Sequence, residues 1–321
     1  MSDLRDPGHA PRKPRRLRPG DLVGVCAPAS SWENRSELLR GVATLEDWGL
    51  RVKLAPHVND RHGYMAGTDE DRAADLHALL ADPGIRAVLC LQGGYGTPRL
   101  IPLLDEATFA ANPKILTGYS DITTLHLAQA RWGDVISFYS NGVAGIGDAE
   151  VTDFSKHHLR RALFTDEPFG PIPPNPDDPY VRTIVGGRAT GRLAGGCAGL
   201  ISSAVGTRLQ PDYRGRIVVL EEIELEGYWF DGYVTHLRNA GLFDGAAGIV
   251  IGDIKTKWSG GIAELSAEDI VEEVLSPLGL PLVFGLPIGH GKHHATVPFG
   301  ALATLDADRG TLVVEEVVTS D

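Results

Sequence analysis

The chain has 321 residues, 43% hydrophobic and 22% charged, with three cysteines and a formal net charge of −12. That length exceeds what one hydrophobic core usually serves, so two domains are expected, and the composition is that of an ordinary globular protein. The acidic balance disfavours nucleic acid as a partner, and no apolar run reaches the roughly 18 residues a membrane-spanning helix needs. In chain order, residues 1–18 carry Arg12, Lys13, Arg15, Arg16 and Arg18 among prolines with no apolar centre, which reads as a flexible, solvated basic arm and not as a secretory signal, pointing to a cytoplasmic protein.

Residues 19–166 alternate short apolar runs (22–26, 51–54, 87–91, 115–118) with helix-like segments (36–48, 69–81). That rhythm predicts a parallel, three-layer α/β sheet. Residues 167–185 are proline-rich and acidic, a composition that predicts an extended linker. Residues 186–321 then predict a second, strand-richer α/β domain with apolar stretches at 186–207, 216–221, 248–252 and 302–318. Cys26, Cys90 and Cys197 are too few and too scattered for a disulfide framework or zinc site, and their apolar or glycine-rich settings predict buried free thiols.

Three segments carry chemistry. The run from Lys114 to His126 reads as strand, sharp turn and helix with Ser120 at the apex, beside helix N-terminal amides that can stabilise an oxyanion. The same segment is compatible with Ser120 as an ordinary N-cap. A β-branched strand from Arg216 ends in Glu221 and Glu222, and His290 sits between Gly289 and Gly291 in a turn, both typical of sites at the carboxyl ends of strands. Strand alternation sends Glu221 and Glu222 to opposite faces, so only one of them can meet His290. The trio His290, His293 and His294 lacks the helical spacing of a zinc motif, and no metal is expected there. Trp229 and Phe230 fit core or interface packing as readily as a substrate platform.

In order along the chain stand Arg18-Pro19-Gly20-Asp21, Gln92-Gly93-Gly94-Tyr95-Gly96, Gly118-Tyr119-Ser120-Asp121, Gly195-Gly196 with Gly206-Thr207, Leu220-Glu221, Tyr228 with Asp231, and Gly289-His290-Gly291. With these landmarks the chain resembles the LD-carboxypeptidase family, which includes murein tetrapeptide carboxypeptidases and microcin C immunity peptidases. The resemblance covers nearly everything after residue 18. It implies Ser120 as nucleophile, His290 as general base and acid, and Glu221 as its orienting carboxylate. The amides of Asp121 and of the Gly93-Gly94 turn would form the oxyanion hole. Gln92, Tyr95, Tyr228, Trp229 and Cys197 fall in motifs near the expected substrate cleft, which should lie between the two domains. It further implies a homodimer acting on a peptide or peptide conjugate, with no cofactor.

Three positions depart from the family pattern: Gln92 and Gly232 where arginine is usual, and Cys197 where asparagine is common. A less basic, more aromatic pocket bears on substrate choice, because carboxylate recognition normally recruits arginine. The expected reaction is hydrolysis of an amide to a C-terminal D-amino acid in a muropeptide. Cleavage of aminoacyl or peptidyl conjugates, acyl transfer to an amine, and a non-catalytic binding role are the alternatives.

Overall fold

Buried apolar runs build the first sheet. In the computed structural model, which describes residues 9–256 and 265–321, β1 (Leu22–Cys26), β2 (Arg51–Leu54), β3 (Ile85–Cys90), β4 (Ile115–Gly118) and β5 (Ser137–Tyr139) lie parallel in the order β5-β4-β3-β1-β2. β1, β3 and β4 are buried almost throughout, as a parallel sheet covered on both faces requires. The helices that accompany them are α1 (Arg35–Asp47), α2 (Asp69–Ala81), α3 (Glu106–Ala111), α4 (Thr123–Ala128), α5 (Val143–Ile146) and α6 (Asp153–Phe164). Helix α2 begins where Thr68 accepts a hydrogen bond from the Asp71 amide, with Asp69, Glu70 and Asp71 in its first turn.

The second part of the chain contributes β6 (Gly170–Ile172), β7 (Arg182–Val185), β8 (Arg188–Cys197), α7 (Ala198–Ala204), β9 (Arg216–Leu225), α8 (Gly227–Asn239), β10 (Gly248–Thr256), α9 (Ala267–Leu275), β11 (Leu282–Phe284), β12 (Val297–Phe299), β13 (Leu302–Asp306) and β14 (Thr311–Val314). All but β12 form a mixed eight-stranded sheet, β6-β14-β13-β8-β9-β10-β11-β7, in which β8 to β11 run parallel. The expected two-domain α/β architecture is therefore present.

The boundaries expected from composition shift at three places. Residues 9–18 are docked, not loose: the Arg12 amide donates to Asp134 O, the Leu17 amide to Leu163 O, and Leu17 is buried. Backbone pairing and an apolar anchor outweigh the solubility of the arginines, two of which, Arg16 and Arg18, reach Asp321. The proline-rich stretch supplies β6 and β7, the two outermost strands of the second sheet. Proline excludes a central strand but is tolerated at an edge, where Pro171 sits. Finally, β12 leaves the second domain and pairs antiparallel with β5, completing the first sheet.

That crossing has an energetic counterpart. Val25, Leu89 and Phe138 of the first sheet share one continuous apolar cluster with Val219, Val250 and Leu305 of the second. Burying each such side chain contributes about 1.5–3 kcal/mol, so the two sheets are held together by a common core.

Candidate active site

Strand β4 ends at Gly118, whose φ of +149° and close approach to Ile122 admit no side chain without displacement. The chain then turns through Tyr119 and Ser120 into a 3-10 turn (Ser120–Ile122) that leads into α4. Ser120 has φ +60°, a conformation that non-glycine residues adopt at a cost of order 1–3 kcal/mol. Two bonds hold it. The Ser120 amide donates to Tyr139 Oη at 2.9 Å, and the Thr123 hydroxyl donates to Ser120 O at 2.7 Å. The strand–elbow–helix geometry expected around Ser120 is therefore present, with the serine half-buried at its apex.

The Gly93–Gly94 turn lies against this elbow. A Cβ on Gly93 would stand 2.8 Å from Ser120 Cβ and 3.2 Å from its Oγ, so only glycine allows the approach. Asp121 ties the two loops together: its Oδ2 accepts the Thr97 amide at 2.7 Å and its carbonyl accepts the Thr97 hydroxyl. Burial pushes the Asp121 carboxyl up to about 6. Among the described residues, the amides of Gly93, Gly94 and Asp121 donate to no acceptor.

From the other domain comes Glu221, fully buried on β9. Its Oε2 accepts His290 Nδ1 at 2.6 Å, and its Oε1 accepts the Tyr139 hydroxyl at 2.5 Å. The neighbouring Glu222 points away, accepting the Gly199 amide at 2.8 Å and the Cys197 thiol at 3.3 Å. It is thus Glu221 whose carboxylate meets His290, as strand alternation demands of one of the two. Gly289 makes that meeting possible, since a Cβ there would lie 2.5 Å from Glu221 Oε2, and its φ is +120°. The following Gly291 amide donates to Asp253 Oδ2 at 2.9 Å. Burial, then the charge of Glu221, raises the Asp253 carboxyl to about 6. The Tyr119 ring packs 4.7 Å from the His290 ring, so the residue before Ser120 forms one wall of the imidazole's slot.

The remaining candidates divide. Gln92 donates its amide to Ser30 O (3.1 Å) and Ser31 O (2.9 Å), holding a loop beside the glycine-rich turn. Tyr95 is exposed and its ring meets exposed Tyr64 at 5.7 Å. Cys197 is buried, its amide held by Thr123 Oγ1 at 3.0 Å and its thiol raised by burial and by Glu222. On α8 the pair Trp229-Phe230 splits, Phe230 entering the core while Trp229 stays exposed between Tyr228 (5.6 Å) and Tyr233 (6.3 Å). The histidine trio does not gather on one point. His293 reaches Asp177, and His294 is buried beside the rings of Tyr119 and Tyr139, where burial pushes it down to about 3. Among the described residues, possible metal ligands within 4.8 Å of one another occur at His57, Asp60 and Asp71. There Asp75 accepts from His57 Nδ1 at 2.9 Å and raises its pKa, the arrangement of an ion-paired histidine.

Sequence reasoning missed Tyr139, Thr123 and Asp253. Tyr139 ends a short strand without a motif of its own; only the parallel register that sets it opposite Gly118 brings it to the elbow.

A serine on a strained elbow and a carboxylate-bound histidine from a second α/β domain define a serine-hydrolase class of site. Family comparison agrees. Residues 23–140 match the LD-carboxypeptidase N-terminal domain and residues 190–305 the LD-carboxypeptidase C-terminal domain, and the chain belongs to the LD-carboxypeptidase family. A candidate carboxypeptidase of Streptomyces coelicolor is 39% identical over 308 residues, covering 94% of this chain and 96% of the relative. A protein of Bacillus subtilis named as a probable murein peptide carboxypeptidase is 35% identical, covering 96% and 95%. The crystal structure of an MccF-like protein from Bacillus anthracis superposes with a TM-score of 0.84 at 25% identity, over 95% of this chain and 99% of that one. No helix among the described residues is long and apolar enough to cross a membrane.

Proposed function

We propose that the protein is a serine carboxypeptidase that hydrolyses the amide to a C-terminal D-amino acid in muropeptides, with Ser120, His290 and Glu221 as its triad. The observation that carries the reading is the 2.6 Å bond from His290 Nδ1 to fully buried Glu221, set beside the elbow that presents Ser120 at φ +60°. A serine hydroxyl is a weak nucleophile until a base takes its proton. With Nδ1–H committed to Glu221, the imidazole has a fixed tautomer and its Nε2 lone pair is free to act as that base.

Ser120 Oγ attacks the scissile carbonyl carbon and passes its proton to His290. The developing oxyanion is met by the amides of Gly93, Gly94 and Asp121, which have no competing acceptor among the described residues. His290 then protonates the departing D-amino acid, leaving an acyl-Ser120 ester. Water, deprotonated by His290, releases the shortened peptide and restores the serine. The step needs no cofactor. The murein substrate class is supported by the Bacillus subtilis relative, and Tyr95, Tyr228 and Trp229 are exposed and open to a substrate.

The test is release of D-Ala from L-Ala-γ-D-Glu-meso-diaminopimelate-D-Ala by wild type and Ser120→Ala. Release by wild type alone supports the reading; equal release by both removes Ser120 from the mechanism. A second reading, cleavage of peptidyl or aminoacyl conjugates carrying a flat group, is favoured by exposed Tyr228 and Trp229, the latter backed by half-buried Tyr233. It predicts turnover of such a conjugate, and loss of that turnover in Trp229→Ala, where the tetrapeptide is inert.

A further inference from the structure

We propose that Tyr139 is the positioning residue that locks the nucleophile's elbow to the orienting carboxylate across the two domains, a role that rests on the Ser120-His290-Glu221 reading. Its hydroxyl is the shared atom. It accepts the Ser120 amide at 2.9 Å and donates to Glu221 Oε1 at 2.5 Å, while Glu221 Oε2 takes His290 Nδ1 at 2.6 Å. A phenol has one proton to give, and the Ser120 amide can only donate. The directions are therefore fixed, and a single chain of bonds runs from the backbone of the nucleophile to the ring of its base.

Three consequences follow from that chain. The Ser120 amide is consumed, so it cannot serve as an oxyanion donor, and that task passes to the glycine-rich turn and Asp121. The left-handed backbone at Ser120 is held from the side by a residue that is itself immobile. Tyr139 is fully buried, with its ring against Phe299 (5.1 Å), His126 (5.5 Å) and Tyr119 (6.4 Å). Finally, Glu221 has both oxygens satisfied, which a buried carboxylate requires if it is to remain charged. Burial and the nearby Glu221 charge raise the Tyr139 hydroxyl well above its ordinary value, so it stays a donor throughout the working pH range.

A bond donated to Glu221 also withdraws part of the charge that stabilises protonated His290. Removing the hydroxyl frees Glu221 Oε1 and should strengthen the carboxylate's hold on the His290 proton. The pH profile reads that hold directly: its acidic limb should move to higher pH. The other groups around this pair are Asp253 from β10, Tyr119 from the elbow, His294 from the loop before β12, Glu222 on β9, and Cys197 at the end of β8. A Tyr139 substitution leaves all of them in place.

The experiment is the rate of Ser120 phosphonylation by a fluorophosphonate as a function of pH, which needs no knowledge of the substrate. In it the Ser120 Oγ–P bond forms, fluoride leaves and His290 takes the hydroxyl proton. Ser120→Ala comes first: labelling that persists overturns the nucleophile reading itself, before Tyr139 is touched. With that established, Tyr139→Phe is expected to react about 10²-fold more slowly, the scale of a misplaced reacting group, with its acidic limb displaced upward. Replacing Tyr139 by 3-fluorotyrosine, a stronger donor of nearly equal size, should displace the limb downward. A folded Tyr139→Phe with wild-type rate and limb overturns the proposal while leaving the triad standing. If Tyr139→Phe does not fold, the fluorotyrosine protein decides: an unmoved limb overturns the proposal.

Discussion

In the N-terminal domain, Ser120 is positioned mainly within one contiguous strand, turn and helix, by backbone conformation and the Thr123 bond to its own turn, with one bond from Tyr139 on the neighbouring strand. On the C-terminal side, Glu221 and His290 lie 69 residues apart and meet only because a glycine lets a loop settle onto a buried carboxylate. The first half stores its order in local strain, the second in tertiary fit. A local device fails when its own residue changes, whereas a tertiary one fails when any surface in the contact grows. Variants on the two sides should therefore fail in different ways.

The largest effect is expected on the local side. With Ser120 as the proposed nucleophile, Ser120→Ala should reduce kcat by about 10⁴-fold or more, because that role has no substitute, with a thermal midpoint equal to or above wild type, since alanine leaves the elbow's bonds intact. Turnover assays beside calorimetry check both. A stable enzyme that retains its rate would break the comparison outright.

Next comes the pair of carboxylates on β9. Glu221→Gln should cost roughly 10⁴-fold in kcat by disturbing the tautomer and charge that His290 needs. Glu222→Gln should leave kcat within a few-fold and lower stability by about 1–2 kcal/mol, because its amide would face the Ile223 N–H that Glu222 Oε1 now accepts at 3.0 Å. The reverse ranking in a turnover assay would exchange their roles.

How legible this was differs by side. The elbow could be read from the sequence because strand, glycine, serine and helix are consecutive and each has a local signature. The doubly buried strands of the first sheet were legible for the same reason, as short apolar runs. Tyr139 was not, since its partners come from the turn after β4 and from β9, and nothing in Ser137-Phe138-Tyr139 marks its hydroxyl as a bridge. Nor was β12, an ordinary Val-Pro-Phe that joins the other domain's sheet because β5 has a free edge. The choice between Glu221 and Glu222 was half-legible from the residues: alternation said that only one meets His290, the family resemblance pointed to Glu221, and the fold bonds Glu221 to His290. Residues 9–18 were misjudged because charge dominates their composition, while a single Leu17 and a few backbone bonds decide their placement.

Gly289→Ala sharpens the tertiary side. The added Cβ would stand 2.5 Å from Glu221 Oε2, at a φ of +120° that alanine resists, so the loop must retreat and carry His290 with it. The expected loss in kcat is about 10²-fold, with KM little changed and Ser120 still labelled slowly by a fluorophosphonate. Wild-type kinetics would mean that the close approach is dispensable.

The smallest effect concerns Asp253, and it is a matter of pH. Its carboxyl is raised from 3.8 to about 6, first by burial and then by Glu221. A raised carboxyl means that the folded protein holds this proton more tightly than the unfolded chain. Its contribution to stability is thus complete below about pH 4 and is lost as pH rises through about 6. Asp253→Asn keeps an acceptor for the Gly291 amide and removes the charge. It should raise stability by about 1–3 kcal/mol at pH 7 and by nothing near pH 3.5, with kcat within a few-fold of wild type. Denaturant unfolding of both proteins at the two pH values measures this directly. A gain of equal size at both would trace it to packing, and would place Asp253 with the residues that hold the loop by shape alone.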